Sequence, residues 1–153
     1  MNYWFILNIA LFMVSVILYI RDPSLAVLVA VSGLVFILFN WNMHAIFSKI
    51  RSLNSRNDRI KIAAHARKIM PFHLMIGNIG LIFIILHVLL IIQQYGITYV
   101  TYKAASGGIA FAGLIGVLFS GYLRRKKATG KRRRAHLQLS MLLFFMMALH
   151  VIW

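Results

Sequence analysis

Apolar residues run through this chain in five blocks separated by short polar or basic stretches. The first, Tyr3 to Ile20, holds no charge and is followed by Arg21-Asp22-Pro23. The second spans Leu25 to Phe39, with Trp41 after it as an expected interfacial anchor. A third starts at Pro71, a residue favoured in a first helical turn because its missing N–H costs nothing there, and runs to Ile92, where Gln93-Gln94-Tyr95-Gly96 closes it. The fourth, Tyr99 to Leu123, is less apolar and rich in glycine, and the fifth runs from Ala135 to Trp153. A helix rising 1.5 Å per residue needs about 20 residues to cross about 30 Å of hydrocarbon, and each block approaches that length. The pattern predicts an all-α membrane protein: a single domain over 1–153, a five-helix transmembrane bundle with helices at 3–20, 25–39, 71–92, 99–123 and 135–153.

Composition agrees, because 61% of the residues are apolar and only 12% charged, whereas ordinary globular domains carry about a quarter charged residues. The first block lacks both the basic leader and the small-residue cleavage site of a signal peptide, so it reads as a retained helix. No extramembrane C-terminal domain is expected beyond the fifth block.

Charge then sets an orientation. Two loops, 48–68 and 124–134, hold 15 of the 17 basic residues, and only Arg21 and Lys103 lie elsewhere. By the positive-inside rule both loops and the N-terminus are cytoplasmic and the C-terminus is outside, in a cell inner (plasma) membrane. The 48–68 stretch allows a short amphipathic helix lying on the membrane. The net charge of +15 flanks apolar segments and accompanies no nucleic-acid-binding module, so it points to membrane lipids and away from nucleic acid.

The candidate chemistry lies in the histidines. His73 and His87 stand 14 residues apart in the third segment, and His136 and His150 stand 14 apart in the fifth. Fourteen steps of about 100° come to four turns less about 40°, so both imidazoles of a helix leave nearly one face, about 21 Å apart along it. Helices three and five run parallel in the expected topology. His73 and His136 then share the cytoplasmic depth, and His87 and His150 the outer one.

Four ionisable side chains in register at two depths are costly in lipid and hard to assign to packing. Paired neutral imidazoles fill both axial positions of a haem b without bringing charge into the bilayer. The expected cofactors are therefore two haem b groups. His73 and His136 would ligate the inner iron, and His87 and His150 the outer one. Gly80, midway between His73 and His87, with Gly77 a turn earlier, would admit a porphyrin edge. Phe83, Phe144 and Phe145 would fill space beside the rings. Arg67, Lys68 and Lys131 to Arg134 would meet inner propionates, and Lys103, Tyr99 and Tyr102 outer ones. The glycines of the fourth segment, Gly107, Gly108, Gly113, Gly116 and Gly121, read as helix-packing notches.

Other uses of these residues are weaker. His44 and His65 have no matching partner and read as packing or solvated histidines. Zinc would find only two obvious ligands at each depth and no nearby carboxylate. Methionines such as Met75, Met141, Met146 and Met147 read as flexible gap-fillers. With no cysteine, this chain offers no thiolate haem ligand, disulfide or iron–sulfur cluster.

The segments HLMIGNIGLIFIILH and HLQLSMLLFFMMALH resemble the two ligand helices of the ferric reductase-like transmembrane superfamily, which includes NADPH oxidases, metalloreductases and the haem subunit of the bacterial methionine sulfoxide reductase system. The resemblance covers residues 71–153 and implies electron transfer from the cytoplasm to an acceptor at the outer face. It departs from the superfamily in lacking a sixth helix and a flavin- or nicotinamide-binding domain. The donor is therefore expected to be a separate cytoplasmic flavoprotein reductase or a membrane quinol. No catalytic side chain is assigned. The rival readings are a non-catalytic haem-binding sensor, the membrane anchor subunit of a larger redox complex, and a haem-free membrane scaffold.

Overall fold

The structure, a computed structural model, describes residues 3–153 as five helices: α1 (Tyr3–Arg21), α2 (Leu25–Ser52), α3 (Arg56–Tyr95), α4 (Tyr102–Lys126) and α5 (Gly130–Ile152). No strand occurs among the described residues. All five helices are long and apolar enough to cross a membrane. Large apolar side chains such as Phe5, Ile9, Met13, Phe119 and Phe145 are exposed, which suits a lipid surround and not water.

Side-chain oxygens start the helices. Ser24, Thr101 and Thr129 accept from the backbone N–H groups of Val27, Ala104 and Arg132, at 3.2, 3.1 and 3.3 Å, satisfying donors that have no partner within a helix's first turn. Gly96 ends α3 with a φ of +82°, the left-handed conformation that a residue without Cβ adopts at a helix C-terminus, and its N–H reaches Ile92 O at 2.8 Å.

Four helix boundaries differ most from the sequence expectation. α3 begins at Arg56, so Pro71 lies inside a 40-residue helix and not at its start. Arg56 to Met70 contains no glycine or proline and is rich in good helix formers, which carries the helix through the basic stretch. Likewise α4 and α5 run into the second basic stretch and leave only Lys127 to Thr129 between them. α2 continues past Phe39 to Ser52, because Asn40 and Asn42 spend their polarity on neighbouring helices and not on solvent. Asn42 Oδ1 accepts from Asn8 Nδ2 of α1 at 2.7 Å, and Asn40 Nδ2 donates to His73 O of α3 at 2.9 Å. Trp41 is also reassigned. It is 5% exposed and packs edge-on against Trp4, with ring centroids 5.6 Å apart, so it belongs to the core and not to the membrane interface.

The helices form two compact units, Met1–Leu90 and Ile91–Trp153. In the first, Asn8, Leu11 and Ser15 make the buried stripe of α1 at helical spacing. α2 and α3 meet at Gly33 and Gly80, where Phe36 stacks on Phe83 at 5.5 Å. A Cβ on Gly33 would stand 2.9 Å from Phe83 Cβ, an atom tied closely to the backbone. Gly33→Leu should therefore destabilise this unit by about 1–3 kcal/mol through overpacking. Thermal unfolding in detergent reads the effect against Gly108→Leu, whose added Cβ meets nothing within 4 Å.

In the second unit α4 and α5 form an antiparallel hairpin. Ser106, Ala110, Leu114 and Ser120 of α4, and His136, Ser140, Leu143, Phe144 and Met147 of α5, are its buried positions. Arg132 ties off the turn by donating to Leu123 O at 2.8 Å and Lys127 O at 3.3 Å, carbonyls at the end of α4.

Candidate functional site

α5 presents His136 and His150 to α4, and the contacts fix more than position. His136 is 9% exposed, and its Nδ1 lies 2.8 Å from Ser120 Oγ. The Ser120 hydroxyl has a single proton, which it gives to Val117 O at 2.7 Å. Ser120 can therefore only accept from the ring, so His136 carries its proton on Nδ1.

The same argument applies one level along the hairpin. His150 Nδ1 lies 3.1 Å from Lys103 O and 3.2 Å from Ser106 Oγ, while Ser106 gives its own proton to Lys103 O at 2.9 Å. Both neighbours are acceptors, and His150 is again the Nδ1–H tautomer. In the first unit His87 Nδ1 stands 2.9 Å from Ala26 O of α2, and a carbonyl only accepts. His73, half-buried on α3, is anchored through its main-chain carbonyl by Asn40.

Three of the four expected ligands thus donate Nδ1–H to another helix, which leaves Nε2 as the lone-pair nitrogen. A ring oriented by one nitrogen and basic at the other is the arrangement that supports a metal-bound imidazole. Neutral nitrogen donors of this kind fit haem iron. His65 differs, because it is exposed and its Nδ1 bonds Lys61 O in its own helix at 2.9 Å. His44 packs on Trp41, with ring centroids 4.2 Å apart. Among the described residues no three His, Cys, Asp or Glu side chains gather around one point; an axial haem pair needs only two nitrogens.

Glycines complete the ring seats. A Cβ on Gly107 would stand 2.8 Å from His150 Cε1, and one on Gly121 3.3 Å from His136 Cε1, so each imidazole lies against bare helix backbone. Gly80 is buried, and its Cβ would meet Ile37 Cγ1 at 3.2 Å and Phe36 Cβ at 3.4 Å, so it permits a close approach of α2.

The expected propionate partners divide. Arg67, Lys68, Lys131, Arg133 and Arg134 are exposed cations, whereas Arg132 is engaged in capping α4. Tyr99 stacks on Tyr95 at 4.6 Å, and Tyr102 packs edge-on against Trp153 at 6.2 Å. Phe144 is buried and Phe145 exposed.

Sequence reasoning passed over Ser106 and Ser120 and read Gly107 and Gly121 as general packing notches. A signal was present: Ser106-Gly107 and Ser120-Gly121 repeat the same dipeptide 14 residues apart, the period of the histidines they face. Comparison with known families, curated proteins and solved structures finds no match to this chain.

Proposed function

We propose that this chain is a transmembrane electron-transfer protein, a b-type cytochrome that carries two haem b groups on paired histidines. The observation that carries the reading is the Nδ1–H donation of His87, His136 and His150 to neighbouring helices, which prepares Nε2 as a ligand in a chain whose five helices suit a membrane. On this reading His73 with His136 would form the inner pair and His87 with His150 the outer pair, on the strength of their matched 14-residue spacing and the order of the five segments under the positive-inside rule.

Bound haem supplies one-electron chemistry, and the protein supplies ligation, orientation and a low-dielectric surround. The direction of transfer is from a cytoplasmic flavoprotein or a membrane quinol to an acceptor at the outer face, in the manner of ferric reductase-like proteins. The exposed cations Arg67, Lys68, Arg133 and Arg134 suit an acidic donor protein, which they attract over about a Debye length. The membrane is the inner, plasma membrane, with the N-terminus and both basic stretches on its cytoplasmic side.

Bis-histidine ligation has a direct test. Dithionite-reduced protein in mild detergent should show a low-spin b-type spectrum that carbon monoxide leaves unchanged, because two imidazoles would hold each iron and leave no place for a further ligand. A large shift on adding carbon monoxide would mean an open axial position and would refute the paired-ligand assignment.

A further inference from the structure

Each histidine of α5 faces the same two residues of α4, a serine and the glycine that follows it. Ser120 and Gly121 meet His136, and Ser106 and Gly107 meet His150. Both pairs and both histidines repeat at 14 residues, so an antiparallel hairpin brings them together twice in the same way. General helix packing does not require this. It would be satisfied by small residues without a hydroxyl, and by serines whose protons are not already committed.

We infer that Ser106-Gly107 and Ser120-Gly121 are built seats that hold the imidazoles of His150 and His136 as Nδ1–H tautomers, which leaves Nε2 as the nitrogen with a lone pair for ligation. The inference rests on the haem reading for its cofactor but not for its hydrogen bonds. Within each seat the serine sends its proton to a carbonyl of its own helix, at Lys103 or Val117, and so offers the ring only lone pairs. Glycine removes the Cβ that the ring would otherwise strike.

The two seats are unequal in opposite senses. At His136 the Ser120 oxygen is close, at 2.8 Å; at His150 the Nδ1–H is shared between Ser106 and Lys103 O, and the carbonyl stays in place when the serine is lost. For the glycines the order reverses, because the Gly107 seat is tighter, at 2.8 Å, than the Gly121 seat, at 3.3 Å. The atom approached in each case is the far end of a side chain. An added methyl therefore moves the ring and leaves the helices in place, and alanine is also the better helix former.

Four variants and a control test these positioning residues: Ser120→Ala, Ser106→Ala, Gly107→Ala and Gly121→Ala against Ser140→Ala. Ser140 is equally buried but bonds the His136 main-chain carbonyl and not a ring. Two readouts are taken from the full-length chain in detergent: 15N spectra of histidine-labelled protein, which report which ring nitrogen bears the proton, and redox titration of the bound haem.

Ser120→Ala should lower the Nδ1–H population of one histidine and raise one haem midpoint potential, since a ring that no longer donates from Nδ1 is a poorer electron donor to iron. Ser106→Ala should show the same changes to a smaller extent. Gly107→Ala should lower haem content from about two to about one per chain without lowering the melting temperature, and Gly121→Ala should keep both haems. If Ser120→Ala and Ser106→Ala match Ser140→Ala in both readouts, the serines only pack and the inference falls. A haem-free wild type would sink the cytochrome reading alone, and the 15N comparison would still decide for or against the seats.

Discussion

Replacing His73 and His136 together should leave a chain that still binds about one haem, whereas replacing His73 and His150 together should leave none. The difference follows from pairing. A bis-histidine site that loses one nitrogen no longer retains its group through purification, and losing both nitrogens empties that same site alone. The partner site is about 21 Å away at 1.5 Å per residue, beyond the reach of local repacking. Each of the four single alanine variants should drop from about two haems to about one. A pyridine haemochrome assay on purified protein reads all six. If the His73/His136 variant is colourless while the His73/His150 variant keeps one haem, the pairing is diagonal and the parallel-helix assignment is wrong.

Transfer across a bilayer should depend on both pairs at once. Proteoliposomes with ferricyanide enclosed and an impermeant reductant outside should bleach the ferricyanide when they hold wild-type protein. Any single histidine variant should fall to the rate of protein-free vesicles. His136 and His150 stand about 21 Å apart along α5 against a hydrocarbon layer of about 30 Å, so under the two-haem proposal a chain with one pair left would have no redox centre in the other half. Normal bleaching by His136→Ala would contradict a two-centre path.

The number of helices was legible in the hydropathy blocks, because burial in lipid demands long apolar runs whatever the helices pack against. Their ends were less so. Pro71 and the basic stretch before it resemble a helix start, yet nothing from Arg56 to Met70 breaks the helix, and proline is tolerated inside α3. Asn40, Trp41 and Asn42 resemble an interfacial end of α2, and only their partners on α1 and α3 explain why they continue it.

In the site, the 14-residue period singled out the histidines, because one helix face is a local property of the sequence. What holds each ring was not legible in that way. Ala26 meets His87 through a backbone carbonyl, which any residue would supply, so no sequence signal marks it. Ser106 and Ser120 did carry a signal, their shared period with α5, but it appears only when two segments are compared. The contact of Gly80 with α2 was not legible either, because a glycine between two histidines looks the same whether a helix or a ligand approaches it.

The central claim is that this chain holds two b haems, and the most direct test is the dithionite-reduced minus oxidised spectrum of wild-type protein purified from haem-sufficient cells, with a haem count. The account predicts a sharp b-type α band and about two haems per chain. A colourless protein under those conditions would contradict it.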